Sequence, residues 1–282
     1  MMRQIIPFLF ALLLSLGLNA QKSCCDVASA CTNQFAQLAN DAAFRRSHEN
    51  PLPFSYKSEK GQMISFATSD GTNANGFLLK ATKKTKKYLF VYQEWWGLND
   101  YIKQEAEKMY NEFGGEINVI AVDLYDGKIA TTREEAGKLM QGSNEKRCES
   151  IIKGAMSYAG KKAKIASIGW CFGGGWSLRS AVLEGKQAVA CVMYYGMPVK
   201  EVETLKKLNC DVLGLFAGRE QWISPAIVAE FEKNMKAADK KVTIKSFDAE
   251  HAFANPSNPK HDKLASEEAY TMATDYLKKA FQ

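Results

Sequence analysis

From Met63 onward the chain alternates short apolar or β-branched runs with longer stretches of helical periodicity, and this alternation restricts the fold more than anything else in it. The runs are MISFAT, ANGFLLK, KYLFVYQ, INVIAVDL, AKIASIGW, AVACVMYY, CDVLGLFA and VTIKSFD. Each has the length and residue types of a strand. Helical patterns lie near residues 99–113, 131–159, 174–184, 224–238 and 262–281. Ser69-Asp70-Gly71-Thr72, between the first two runs, is a turn signal that predicts an antiparallel hairpin. After it, strand follows helix follows strand. That order requires a mainly parallel sheet of about eight strands, α/β in class, with helices covering both faces. Sites in such sheets form at the carboxyl ends of the strands.

One strand-to-helix corner carries a chemical signal. AKIASIG reads as a strand and GGWSLRSAVLEG as a helix, with Gly169-Trp170-Cys171-Phe172-Gly173 at the junction. G-x-C-x-G is the thiol form of the nucleophile elbow, whose glycines let two backbones pass closely while the central side chain is held above the sheet. The helix that follows directs its N-terminus at the thiol and favours a thiolate. The alternative is a cysteine packed as a small hydrophobe.

An elbow also requires an acid after a later strand and then a histidine, in that chain order. The histidines are His48, His251 and His261. His48 precedes the main domain, and His261 in NPKHDK reads as a solvated helix start. His251, in AEHAFANP just past the last strand, lies at the same sheet edge as Cys171 and is the expected base. Glu220 is the only carboxylate in AGREQWISP after CDVLGLF, which makes it the expected acid. Asp248 and Glu250, in the histidine's own loop, stay open as substitutes.

The N-terminal segment bears on where the protein works. Residues 1–20 place Arg3 before an apolar run from Ile5 to Leu18 and close on the small Ala20. This predicts a secretory signal cleaved after Ala20, with an uncleaved anchor as the alternative, since the run is short for a bilayer span. The mature chain is therefore expected in the periplasm or outside the cell, with no stable membrane insertion. Residues 21–55 form an extension ahead of the main domain, 56–282, and Pro51 and Pro53 forbid a helix continuing through it. It contains Cys24, Cys25 and Cys31, for which export makes a disulfide plausible. No CxxC and no adjacent histidine accompanies these cysteines, which speaks against a metal site there. The formal net charge of +6 is spread as lysine pairs between elements, so no basic stripe suits nucleic acid.

With Cys171, Glu220 and His251 in this order, the chain resembles the dienelactone hydrolase family of α/β-hydrolases. The strings VYQEWWGLNDYIKQEAEKM, VIAVDLYDG, IGWCFGGGWSL, LFAGREQWISP and HAFANP run from Val91 to Pro256 in the family's order. The resemblance implies the α/β-hydrolase fold and hydrolysis of ester or lactone bonds by a cysteine, an acid and a histidine, without cofactor or metal. It also implies that Glu94 gates the resting thiol, although a carboxylate at a helix start has a simpler use. The backbone N–H groups of Trp95 and Phe172 fall where an oxyanion hole belongs. Trp96, Trp222 and Asn255 are the expected substrate contacts, though tryptophans near strand ends are often only packing.

Three departures from the family pattern stand out. The acid is glutamate where aspartate is usual. Asp126-Gly127 and Asn255 occupy the places of arginines that grip an anionic dienelactone, so that substrate is not expected. The export signal and the cysteine-bearing extension are additions. The expected partner is a small-molecule ester or lactone, and the chain is expected to be a monomer or small homo-oligomer. The competing readings are a weakly active small-molecule binding protein on the same scaffold and, less favoured without a CxxC, a redox thiol protein.

Overall fold

The computed structural model describes residues 1–2 and 37–282. The expected signal run and Cys24, Cys25 and Cys31 lie outside the described residues, among which no helix is long and apolar enough to cross a membrane. The elements are α1 (Ala42–Ser47), β1 (Gly61–Ala67), β2 (Asn73–Leu79), β3 (Lys87–Tyr92), α2 (Asp100–Glu112), β4 (Asn118–Val122), α3 (Arg133–Gln141), α4 (Glu145–Ala159), β5 (Lys164–Trp170), α5 (Phe172–Glu184), β6 (Ala188–Tyr194), α6 (Val202–Leu205), β7 (Val212–Ala217), α7 (Pro225–Ala237), β8 (Val242–Phe247) and α8 (Lys263–Ala280).

The strands form one sheet in the order β1-β2-β4-β3-β5-β6-β7-β8. β1 and β2 make the expected antiparallel hairpin, and β2 also runs antiparallel to β4. Every other pairing is parallel. Helices cover both faces, so β4 and β7 are buried along their whole length and β5 at all but Lys164. That two-sided burial is why these runs read as continuously apolar in the sequence.

The single helix expected over 131–159 is two helices. Gly142 ends α3, and Asn144 starts α4 by accepting a hydrogen bond from the Arg147 backbone N–H. Asn144 in the interior of one long helix would favour its own cap over helix continuation. Arg147 then bridges Asp70 in the hairpin turn and Asp126 after β4, fastening α4 to both.

The helix that carries the elbow is tied to β3 by a buried polar chain. Tyr92 Oη lies 2.5 Å from Ser180 Oγ, which donates to Glu184 Oε1 at 2.6 Å. Burial pushes the Glu184 carboxyl up to about 8, with the Ser180 bond pulling slightly the other way. Because the folded-state acidity is weaker than the unfolded one, the folded state holds an extra proton between about pH 4.5 and 8. The group's stabilisation is complete below that window and lost as pH rises through it. At about 1.4 kcal/mol per decade of difference in acidity, the wild type is expected to lose roughly 3–5 kcal/mol between pH 5 and pH 9 from this group. Urea unfolding of Glu184→Gln should show that much less pH dependence, whereas equal slopes for the two proteins would place the proton elsewhere.

Candidate active site

The thiol sits where strand chemistry ends and helix chemistry begins. β5 closes at Trp170, α5 opens at Phe172, and Cys171 between them has φ 54° and ψ −116°, a left-handed conformation costly for any residue with a Cβ. Two neighbouring glycines make that corner possible. A Cβ on Gly169 would lie 2.1 Å from the Gly173 carbonyl oxygen, and one on Gly173 would lie 2.4 Å from the carbonyl oxygens of Tyr92 and Gln93. The start of α5 is therefore pressed against the end of β3, which brings Phe172 beside the Gln93-Glu94-Trp95 segment.

Glu220 follows β7 and His251 follows β8. Backbone bonds from the Gly218 N–H to the Phe247 carbonyl, 2.7 Å, and from the Arg219 N–H to the Ala249 carbonyl, 3.0 Å, hold the two loops side by side. His251 Nδ1 meets Glu220 Oε1 at 2.7 Å, both side chains buried. Asp248 and Glu250 point outward to Arg219 and Lys260, so neither substitutes for Glu220. With Nδ1 committed to the carboxylate, Nε2 is the ring nitrogen left for Cys171. The sulfur and that imidazole lie within 4.8 Å of each other. Burial opposes charge on His251, but the Glu220 carboxylate and the Cys171 thiol prevail and hold its pKa well above the usual histidine range. Burial raises the Cys171 pKa; His251 lowers it and Glu94 raises it again.

Glu94 is buried behind the helix start. Asn255 Nδ2 donates to its Oε2, and Tyr195 Oη donates to Oε1 at 3.4 Å. Burial pushes its carboxyl up to about 7 against these bonds and the nearby His251. Removing its charge removes one of the influences that raise the thiol. Glu94→Gln is accordingly expected to shift the pH midpoint for iodoacetamide labelling of Cys171, read by mass spectrometry, downward. An unchanged midpoint would mean that Glu94 does not control the thiol.

A pocket of about 290 Å³ opens beside this carboxylate, walled by Trp96, Trp170, Tyr195 and Tyr270. Cys171 does not line it. The thiol lines a separate space of about 10 Å³, room for about one water. Glu94, Trp96, Asn255 and Ser257 line both, so they are the partition between pocket and thiol. Asn255 is thus placed on Glu94, its own Oδ1 accepting from the Ser257 N–H and hydroxyl. Trp222 is not in the pocket. It is half-buried on the outside, where its Nε1–H donates to Asp41 Oδ2 at 3.1 Å. His261 reaches the outer wall of the larger pocket.

Sequence reasoning missed His48. The extension folds back over the sheet edge, with α1 capped by Asp41, Phe44 fully buried against Trp95, Trp222 and His251, and Asn50 accepting from the Arg133 N–H. This packing puts the His48 ring 5.0 Å from that of His251 and 4.6 Å from that of Trp95. Its Nδ1–H donates to the Phe44 carbonyl at 2.7 Å. Burial, then the adjacent His251, push its pKa down to about 3, so it is a neutral imidazole. The one signal in the sequence was the Phe44-to-His48 spacing of four, which places both on one face of a helical turn. Tyr195, just past β6 with φ 33°, was missed too.

The model of the dienelactone hydrolase family matches residues 75–281. A protein of Aquifex aeolicus provisionally named carboxymethylenebutenolidase is 25% identical over 232 residues, covering 77% of this chain and 98% of its own. One of the same name from Saccharolobus solfataricus is 26% identical over 260 residues, covering 76% and 97%. A solved structure from Klebsiella pneumoniae, provisionally described as a dienelactone hydrolase, superposes with a TM-score of 0.67 at 19% identity, covering 78% of this chain and 99% of that one. The chain belongs to the dienelactone hydrolase family, and its fold is that of the α/β-hydrolases.

Proposed function

We propose that the protein is an exported hydrolase that cleaves neutral ester or lactone bonds through a thioester on Cys171. The observation that carries this reading is the convergence of Cys171, His251 and Glu220 from the ends of β5, β8 and β7, with the 2.7 Å contact orienting the imidazole. Substrate entering the aromatic pocket would displace Glu94, relieving the charge that raises the thiol. The proton that Cys171 and His251 hold between them rests on the imidazole, and the thiolate attacks the carbonyl carbon. The oxyanion is held by the N–H groups of Trp95 and Phe172. His251 returns the proton to the leaving alcohol, then takes one from water as the hydroxide attacks the thioester, and finally restores it to the sulfur as the acid departs. Glu220 keeps the imidazolium oriented and stabilised throughout.

A neutral substrate is favoured because Asp126, in the place of one family arginine, is engaged by Arg147, and Asn255, in the place of the other, holds Glu94. The binding-protein alternative draws support from the arm, which leaves Cys171 only 1% exposed. The deciding experiment offers the protein a panel of neutral and anionic aryl esters and lactones, with mass spectrometry of the quenched reaction. Turnover of neutral members with an acyl mass on the Cys171 peptide supports the enzyme. Saturable binding without turnover or adduct supports the binder.

A further inference from the structure

We propose that His48, Cys171 and His251 form a binding site for a thiophilic divalent cation, Zn²⁺ above all, and that its occupancy shuts the hydrolase off. The binding half stands on geometry alone, and the inhibitory half rests on the function proposed above.

The three side chains come from the extension, the elbow and the loop after β8. All are buried, and their ligand atoms lie within 4.8 Å of one another. Tetrahedral zinc, with Zn–S of about 2.3 Å and Zn–N of about 2.0–2.1 Å, sets ligand atoms roughly 3.5 Å apart. The widest pair therefore has to close by about 1 Å. Both histidines present one ring nitrogen to an oxygen acceptor, as zinc ligands usually do, and leave the other without a hydrogen-bond partner for the metal. For His251 that acceptor is Glu220 Oε1 at 2.7 Å, and for His48 it is the Phe44 carbonyl at 2.7 Å.

The second observation is an orphan. His48 is only 4% exposed, yet its Nε2 has no hydrogen-bond partner. A buried acceptor without a donor is costly and uncommon, and this one lines the same small space as the Cys171 thiol. A cation there would use that lone pair. A water can supply the fourth ligand. One thiolate and two imidazoles suit zinc and disfavour magnesium and calcium. Binding forms the S–Zn and two N–Zn bonds and releases to solvent the one proton that Cys171 and His251 hold between them, with no change of oxidation state. With sulfur and imidazole both coordinated, neither nucleophile nor base remains.

The test titrates the full-length protein with Co²⁺, followed by thiolate-to-cobalt charge-transfer absorption, and with Zn²⁺ by calorimetry. One cobalt with a thiolate band that zinc displaces is expected. Cys171→Ala should abolish this band, which separates the site from Cys24, Cys25 and Cys31. His48→Ala should weaken zinc at least tenfold, and His48→Cys, which restores a soft ligand, should recover most of that loss. Should His48→Ala melt below the wild type, the His48→Cys protein carries the comparison. Wild-type affinity in His48→Ala, or an unchanged band in Cys171→Ala, overturns the site. Zinc bound at the site with ester turnover intact overturns the inhibition. A metal-free protein that turns over no ester defeats the hydrolase reading, while the cobalt result still decides the site.

Discussion

Cys171→Ala is expected to lower ester turnover at least about 10³-fold, which is about 4 kcal/mol of lost transition-state stabilisation. The expectation is this large because no other group can take over covalent attack. Among the described residues the other cysteines are Cys148, Cys191 and Cys210, the first two buried elsewhere in the core. What remains would be the contribution of binding and of the Trp95 and Phe172 N–H groups. Stability separates this loss from misfolding. Cys171 has φ 54°, where a Cβ is strained and glycine is not. Cys171→Gly should therefore be as inactive as the alanine variant while melting no lower than the wild type. Turnover by either variant at the wild-type rate would remove Cys171 from the reaction.

Glu220→Gln is expected to cost about 10²–10⁴-fold in kcat, since an amide can neither stabilise the imidazolium nor enforce the same tautomer. The more telling substitution is Glu220→Asp, which installs the family's usual acid. In this chain the 2.7 Å contact is made by the longer side chain, and the loop is pinned by the Gly218 and Arg219 backbone bonds to the β8 side. Removing one methylene from a fixed loop pulls the carboxylate about 1 Å or more from Nδ1, and such a displacement costs on the order of 10²-fold. The aspartate variant should thus resemble the glutamine one in kcat. Glu220 is also what raises His251 most strongly against burial. Losing it should move the histidine-dependent limb of the pH–rate profile downward. An aspartate variant with full activity would mean that the loop adapts and that glutamate is incidental.

Much of this molecule was legible in its sequence, for a local reason. Strand and helix periodicities repeat within a few residues, so the eight apolar runs appear as eight strands in nearly their expected places. The G-x-C-x-G string encodes a close backbone approach that only glycine allows, and the distances at Gly169 and Gly173 bear that out. Chain order alone placed Cys171, Glu220 and His251 at one sheet edge, because parallel strands bring their carboxyl ends together. Where two local preferences competed the reading failed, as at Gly142 to Asn144, where capping residues divide one expected helix.

What the tertiary structure alone decided is everything that depends on side chains distant in the chain. The partition made by Glu94 and Asn255 joins residues on opposite sides of the sheet's sequence. Trp222, expected at the substrate, instead clasps Asp41 of the extension. His48, which precedes the domain in sequence, lies next to Cys171, because Phe44 finds an aromatic cleft between Trp95 and Trp222 and carries the histidine in with it. Periodicity reports which face of an element is apolar. Which distant surface that face will meet depends on shape and on unpaired polar atoms, and those exist only once the chain has folded.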